Sequence, residues 1–295
     1  MRNEKTEMEL RKMSVDGCGR REQMRVIDMH SHLLCLSEEN TGLGFAEKLS
    51  LAEEELALRK KAGIATFLSG GRPEEWEFLQ QLRDREELLF CCGVHPWYAG
   101  QYEALGDDRI SGASFCELLS GCDAVGEIGM DSVWCDVPLQ VQCRVFVRQL
   151  GLAAELGKPV ILHTKGQEEQ IAELIRDFPG KICVHWYSGG PAALEKLIAL
   201  GCYFTLGPDL GDSPLYRKML TEIPADRLFV ETDGITSVLW ARGIESLEGY
   251  GTGACFLPQI PEILERSMGI IASFHGMDVE ALRERMRQNL AEFLK

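Results

Sequence analysis

The sequence predicts an α/β fold, a single (β/α)8 barrel, on three observations. Eight short apolar runs recur about every 30 residues, roughly the length of one strand–helix–strand repeat. Amphipathic stretches with helix start and stop signals separate them. Metal-ligand side chains close several of the runs, and catalytic groups on barrels sit at the carboxyl ends of the strands.

The runs fall at 25–30, 64–69, 88–94, 123–128, 159–163, 181–185, 201–206 and 227–232. They are continuously apolar rather than strictly alternating, which suits parallel strands covered by helices. After the first run, Phe45, Leu49, Ala52 and Leu56 recur at helical spacing, and Lys60, Lys61 and Gly63 supply a stop. Pro138 opens a later helix whose Phe146, Leu150 and Ala153 share a face and which Gly157 closes. Asp278 is the expected N-cap of a last helix striped by Val279, Leu282, Met286, Leu290 and Phe293. Eight strand–helix repeats favour a closed barrel over the alternative, an open doubly wound sheet. The segment Gly126-Glu127-Ile128-Gly129 is no dinucleotide fingerprint. Residues 1–23 mix basic and acidic side chains and lack both the apolar stretch and the cleavage pattern of a secretory signal. They are expected to form a weakly structured extension to a barrel domain at 24–295, or alternatively a helical arm on its base.

Composition narrows the function. The chain of 295 residues, 45% hydrophobic, is large enough for one barrel-sized domain. It has no apolar run of about 18 residues, so no transmembrane helix is expected. Eleven cysteines, odd in number and without a Cys-x-x-Cys pair, read as free thiols in a reducing cytoplasm rather than as a zinc ribbon. A net charge of −15 argues against tight nonspecific duplex binding, which rests on Lys and Arg. A small or short anionic substrate held by metal ions stays compatible; no membrane association and no obligate protein partner are evident.

His30 and His32 stand two apart on a strand, so both imidazoles point the same way and can share an ion. Asp28, two residues earlier, orients His30 or lines the barrel floor. Glu127 has Gly126 and Gly129 beside it, which permit close backbone approach. His163, His185 and Asp233 close three further runs. Alone, each of these reads as a core histidine, a turn former or a helix cap. Together, at strand ends, they read as one metal site.

These residues bring a family into view. The carrying segments are Ile27-Asp28-Met29-His30-Ser31-His32, Gly93-Val94-His95-Pro96, Val125-Gly126-Glu127-Ile128-Gly129-Met130-Asp131 and Pro159-Val160-Ile161-Leu162-His163. His185-Trp186-Tyr187-Ser188-Gly189, Leu228-Phe229-Val230-Glu231-Thr232-Asp233 and the terminal Gln288-Asn289-Leu290 complete them, in order, from about residue 25 onward. The chain resembles the TatD-type metal-dependent deoxyribonucleases and hydrolases, among the amidohydrolase-like barrels. The resemblance implies a distorted (β/α)8 TIM barrel with one or two divalent ions, zinc, magnesium or manganese. It places His30, His32 and Asp233 on one ion, His163 and His185 on the other, and Glu127 between them. It makes Glu127 and Asp233 catalytic, with Asp233 accepting a proton from the attacking water. His95 and Lys165 become substrate contacts, although a lysine carries no bidentate fork for phosphate.

The chain also departs from the family's pattern. Trp97 stands where many members carry a second histidine, Ser132 replaces an aromatic, and Gly234 replaces a proline after Asp233. Residues 235–261, with Trp240, Arg242 and Tyr250, take the place of the family's Arg-Asn-Glu-Pro segment. Loops after barrel strands decide substrate, so these changes bear on DNA as the target. Trp97, Trp186 and Tyr187 either stack on a base or simply wall the cleft. Three functions are therefore weighed. The first is a metal-dependent phosphodiesterase acting on DNA ends, oligonucleotides or small phosphorylated substrates. The others are a metal-dependent hydrolase of a small amide, lactone or ester, and a non-catalytic metal-binding interaction protein.

Overall fold

Each expected run coincides with one strand to within two residues at either end: Val26–Ser31 (β1), Ile64–Gly70 (β2), Leu88–Cys92 (β3), Ala124–Gly129 (β4), Val160–His163 (β5), Ile182–Val184 (β6), Tyr203–Leu206 (β7) and Leu228–Val230 (β8). The structure is a computed structural model that describes residues 26–83, 85, 87–102, 109–110, 113–211 and 213–295; the extension expected at 1–23 lies outside them. These eight strands pair in parallel with their neighbours, and β1 joins both β2 and β8, closing the barrel; outside it, Arg109–Ile110 pairs antiparallel with Ala113–Ser114. Of the residues in these eight barrel strands, Leu89 alone is not buried. That is why the runs carry no polar alternation. No described helix is long and apolar enough to cross a membrane.

The crossovers contain Phe45–Lys61 (α1), Pro73–Leu79 (α2), Phe115–Ser120 (α3), Leu139–Leu156 (α4), Glu168–Leu174 (α5), Pro191–Ala199 (α6) and Pro214–Glu222 (α7). Ile235–Ala241 (α8), Gln259–Phe274 (α9) and Val279–Phe293 (α10) follow β8. Helix α4 begins after Pro138 and ends on Gly157 at φ 62°, the left-handed conformation a C-terminal glycine supplies. Asp278 caps α10 by accepting the Ala281 N–H at 2.8 Å.

Helix α1 differs from the apolar stripe expected of it. Phe45 is 60% exposed, whereas the buried face runs Leu51, Ala52, Glu55, Leu56 and Arg59. Two charged residues belong to that face because they pair. Arg59 donates to Asp28 at 2.6 Å, to Glu55 at 2.9 Å and to Ser31 at 2.7 Å. Glu55 in turn accepts the Leu34 N–H at 3.0 Å. Asp28 also accepts the N–H and hydroxyl of Thr232 at 2.8 and 2.7 Å. It therefore lines the floor beneath the site rather than touching His30.

Two packing details aim the site. Register shifts between Asp28 and Ser31 in the β1–β2 pairing, and between Val125 and Ile128 in the β4–β5 pairing. Such irregularities redirect side chains locally, and these two bracket His30 and Glu127. Buried glutamines of α4 then fix the strand ends. Gln149 makes paired bonds to the Val94 backbone at 2.7 and 3.0 Å, and Gln142 does the same to Asp131 at 2.8 and 2.9 Å.

Candidate metal centre

Glu127, on β4, is the hub of a buried cluster. Its Oε2 lies 3.3 Å from His30 Nε2 and 3.5 Å from His32 Nε2, and Asp233 Oδ1 stands 3.3 and 3.6 Å from the same nitrogens. Its Oε1 lies 2.8 Å from both His163 Nδ1 and His185 Nε2, and 3.6 Å from His95 Nε2. One carboxylate thus faces two groups, each oxygen with its own set of imidazoles. The glycines beside it make room. A Cβ at Gly129 would stand 1.9 Å from the His163 carbonyl oxygen, and one at Gly126 2.5 Å from that of Ile161.

The imidazoles are held from behind. His30 Nδ1 meets the Ser69 hydroxyl at 3.0 Å, His163 Nε2 meets Asp131 Oδ2 at 3.0 Å, and His185 Nδ1 lies 3.3 Å from Glu231 Oε1. His95 Nδ1 accepts the Trp97 N–H at 3.3 Å. His30, His163 and His95 thus turn one nitrogen to the hub and have the other hydrogen-bonded, an arrangement that fixes tautomer and orientation, whereas His185 Nδ1 only faces Glu231. Asp131 is itself anchored by the N–H groups of Val133 and Trp134 at 2.8 and 2.9 Å and by Trp97 Nε1 at 2.9 Å. Ser237 Oγ donates to Asp233 Oδ2 at 2.8 Å, leaving Oδ1 toward the histidines. Gly234, where the family has proline, adopts φ 85°, and a Cβ there would lie 2.7 Å from the His32 carbonyl oxygen.

The cluster's field favours positive charge. Burial and the neighbouring His185 depress the His30 pKa, but Glu127 and Asp233 outweigh them and raise it to about 9. For His185 burial again opposes the charge, and Glu127 with Glu231 raises the pKa well above the ordinary value. Burial raises the Glu127 carboxyl, yet the surrounding histidines hold it well below the carboxylate range. Against burial, His30, His185 and His32 bring Asp233 down to about 2. His95 behaves oppositely: burial dominates the pull of Glu127 and lowers it to about 4, so its ring is neutral at pH 7.

The donor set and its spacing fit a divalent cation. Metal–nitrogen and metal–oxygen bonds of about 2.0–2.2 Å in a tetrahedron put ligand atoms roughly 3.3–3.6 Å apart. The His30 and His32 Nε2 atoms lie 3.2 Å apart, and their separations from Glu127 Oε2 and Asp233 Oδ1 run from 3.3 to 3.6 Å. His30–Glu127–His185 and His95–Glu127–His163 also have ligand atoms within 4.8 Å of one another. The six residues expected to bind metal therefore converge, and His95 joins them. Lys165 does not: its Nζ donates to Ser188 Oγ at 2.7 Å and sits 4.1 Å over the Trp134 ring. Ser69, Asp131 and Glu231 were not assigned these supporting roles from sequence. The available signal was a carboxylate two or four residues from a ligand, at Glu231 and Asp131.

The profile of the TatD-related DNases matches residues 27–295. A 3′–5′ ssDNA/RNA exonuclease TatD from a Rahnella species is 33% identical over 184 residues, 59% of this chain and 68% of that protein. The human 3′–5′ RNA nuclease TATDN2 is 31% identical over 160 residues, 50% of this chain and 20% of that protein. Among solved structures, a TatD homologue from Escherichia coli superimposes with a TM-score of 0.67 at 21% identity, covering 92% of this chain and 98% of that one. A TatD family hydrolase from Entamoeba histolytica gives 0.69 at 15% identity, with 92% and 98% covered.

Proposed function

Because the chain belongs to the TatD-related DNase family, we propose that it hydrolyses phosphodiester bonds at the 3′ end of single-stranded nucleic acid or short oligonucleotides. The observation that carries this reading is the division of Glu127 between two imidazole sets, Oε2 toward His30 and His32, Oε1 toward His163 and His185. His30, His32, Glu127 and Asp233 would hold one divalent ion, and His163, His185 and the shared Glu127 a second. Imidazole with carboxylate suits zinc or manganese, and the carboxylates suit magnesium as well. Bound ions supply a water activated near neutral pH and positive charge for the phosphate oxygens.

The chain's own groups do the rest. Asp233 Oδ1 faces the site while Ser237 fixes its other oxygen, so it can orient the attacking water and accept its proton. The water oxygen bonds to phosphorus, the P–O bond to the leaving strand breaks, and the departing alkoxide takes up the proton that Asp233 accepted from the water. His95 is neutral and its Nδ1 accepts the Trp97 N–H, so its proton sits on Nε2, from which it can donate a hydrogen bond to a phosphate oxygen. The names of the relatives favour nucleic acid over a small amide, lactone or ester. The acidic chain is suited to short, unpaired substrate rather than to duplex.

The test is a 5′-labelled oligodeoxynucleotide and its RNA counterpart, incubated with the protein and Mg²⁺, Mn²⁺ or Zn²⁺. Stepwise shortening from the 3′ end is expected, falling on the order of 10³-fold or more in Glu127→Ala, whose two ion sites lose their common ligand. No shortening with any ion, alongside turnover of a lactone or ester, overturns the phosphodiesterase reading.

A further inference from the structure

Three indoles that the hydrolytic groups do not need meet on the loops at the same end of the barrel. Trp134 follows β4, Trp186 follows His185 directly after β6, and Trp240 lies on α8 after β8. Trp186 and Trp240 are edge-to-face at 5.9 Å and 78°, and Trp134 and Trp240 at 6.4 Å and 71°. Trp134 and Trp240 are nevertheless 56% and 52% exposed. Large aromatic side chains left this open, side by side, mark a binding surface more often than a packing defect.

The surface is also built rigidly and tied to the metal centre. Trp186 holds φ 36°, a left-handed conformation strained for a bulky residue. Its Nε1 donates to Asp209 Oδ1 at 2.7 Å, an oxygen that also accepts the Tyr216 hydroxyl. A Cβ at Gly207 would fall 2.4 Å from Trp186 Nε1, so the glycine is what admits the ring. The Trp134 backbone donates to Asp131, whose other oxygen holds His163. Lys165 completes the group, its ammonium 4.1 Å over Trp134 and bonded to Ser188.

We infer that Trp134, Trp186 and Trp240 form a stacking subsite for an unpaired nucleobase, with Lys165 placed for the adjoining phosphate. The inference rests on the phosphodiesterase reading and names what that site discriminates. Aromatic faces recognise any base without reading its edge, but only a base out of a duplex offers its face. A chain of net charge −15 draws little affinity from the sugar–phosphate backbone, so stacking carries a large share of binding. The subsite also accounts for residues 235–261: where the family's own segment is missing, this chain supplies α8 and Trp240.

The test compares two short single-stranded oligonucleotides with phosphorothioate linkages, one with normal 3′-terminal bases and one abasic there, bound to the Mn²⁺-loaded protein and followed by anisotropy. The base-bearing oligonucleotide is expected to bind about tenfold more tightly. Trp240→Ala should bring that ratio close to one, while Trp240→Phe keeps most of it. Equal binding of both by the parent protein, or an unchanged ratio in Trp240→Ala, overturns the subsite. So does an altered oligomeric state in Trp240→Ala with the ratio intact, which assigns the surface to a protein contact. Cleavage of the normal-linkage oligonucleotides separates the two readings. A base preference without cleavage keeps the subsite and removes the phosphodiesterase, whereas cleavage without base preference does the reverse.

Discussion

Strand β1 carries two buried charged clusters, only two residues apart, that are built on opposite principles. At Asp28 the chain closes a salt bridge: Arg59, Glu55, Ser31, Thr232 and the Leu34 amide saturate one another. At His30 it assembles carboxylates and imidazoles that cannot all satisfy one another. Neither oxygen of Glu231, 1% exposed, accepts a hydrogen bond among the described residues, and the imidazole beside it is its ion-pair partner. The first cluster is complete without any ligand; the second has an excess of acceptors pointing at one place. A buried polar group that is fully paired holds the fold, and one left short of partners awaits something.

The strongest way to break that comparison is Arg59→Met. If the first cluster is structural, the change strands two buried carboxylates and destabilises the protein by about 3–5 kcal/mol. Urea unfolding measures it. The activity of the molecules that remain folded should change far less than their number. A variant as stable as its parent would show that the closed cluster contributes nothing to the fold.

The two clusters were also unequally legible in the sequence. All eight strands were legible because burial on both faces leaves an uninterrupted apolar run. The six residues proposed as ligands were legible because they stand at or just beyond the ends of those runs, where a polar side chain has no packing reason to be. Arg59 and Glu55 were not, since an i,i+4 charged pair on a helix looks the same whether it faces water or a strand. Phe45 misled for the converse reason: it lies in register with the stripe, but at the helix's first residue it stays largely exposed, its ring edge-to-face with Phe78 at 5.8 Å between centroids. Ser69, Asp131 and Glu231 act on histidines 39, 32 and 46 positions away, and one-dimensional spacing holds no record of that proximity.

Glu231→Gln sharpens the comparison from the other side. An unsatisfied carboxylate held for function contributes little to stability, so unfolding in urea should shift by under about 1 kcal/mol, in either direction. Because the residue orients His185, metal affinity should fall roughly 10–100-fold. Competition with a chromophoric chelator reads that directly. If stability drops as far as in Arg59→Met while metal affinity holds, Glu231 belongs with the structural cluster.

The smallest effect concerns a third way of burying ionisable groups, in their neutral form. Burial, reinforced by the Cys122 and Cys92 thiols and by Glu127, pushes the Cys91 thiol well above its ordinary value; burial alone leads for Cys183. Burial likewise raises Cys122 to about 11 and Cys35 to about 12. The sign is the reverse of His30: here the neutral form is favoured, so raising the pH to about 9 leaves these thiols protonated in the folded protein. Iodoacetamide followed by peptide mapping should therefore modify exposed Cys255 while sparing Cys35, Cys91, Cys122 and Cys183 until denaturant is added. Modification of Cys91 in the native state at the rate of Cys255 would mean that water reaches the wall behind Glu127. The low-dielectric setting on which both clusters depend would then be absent.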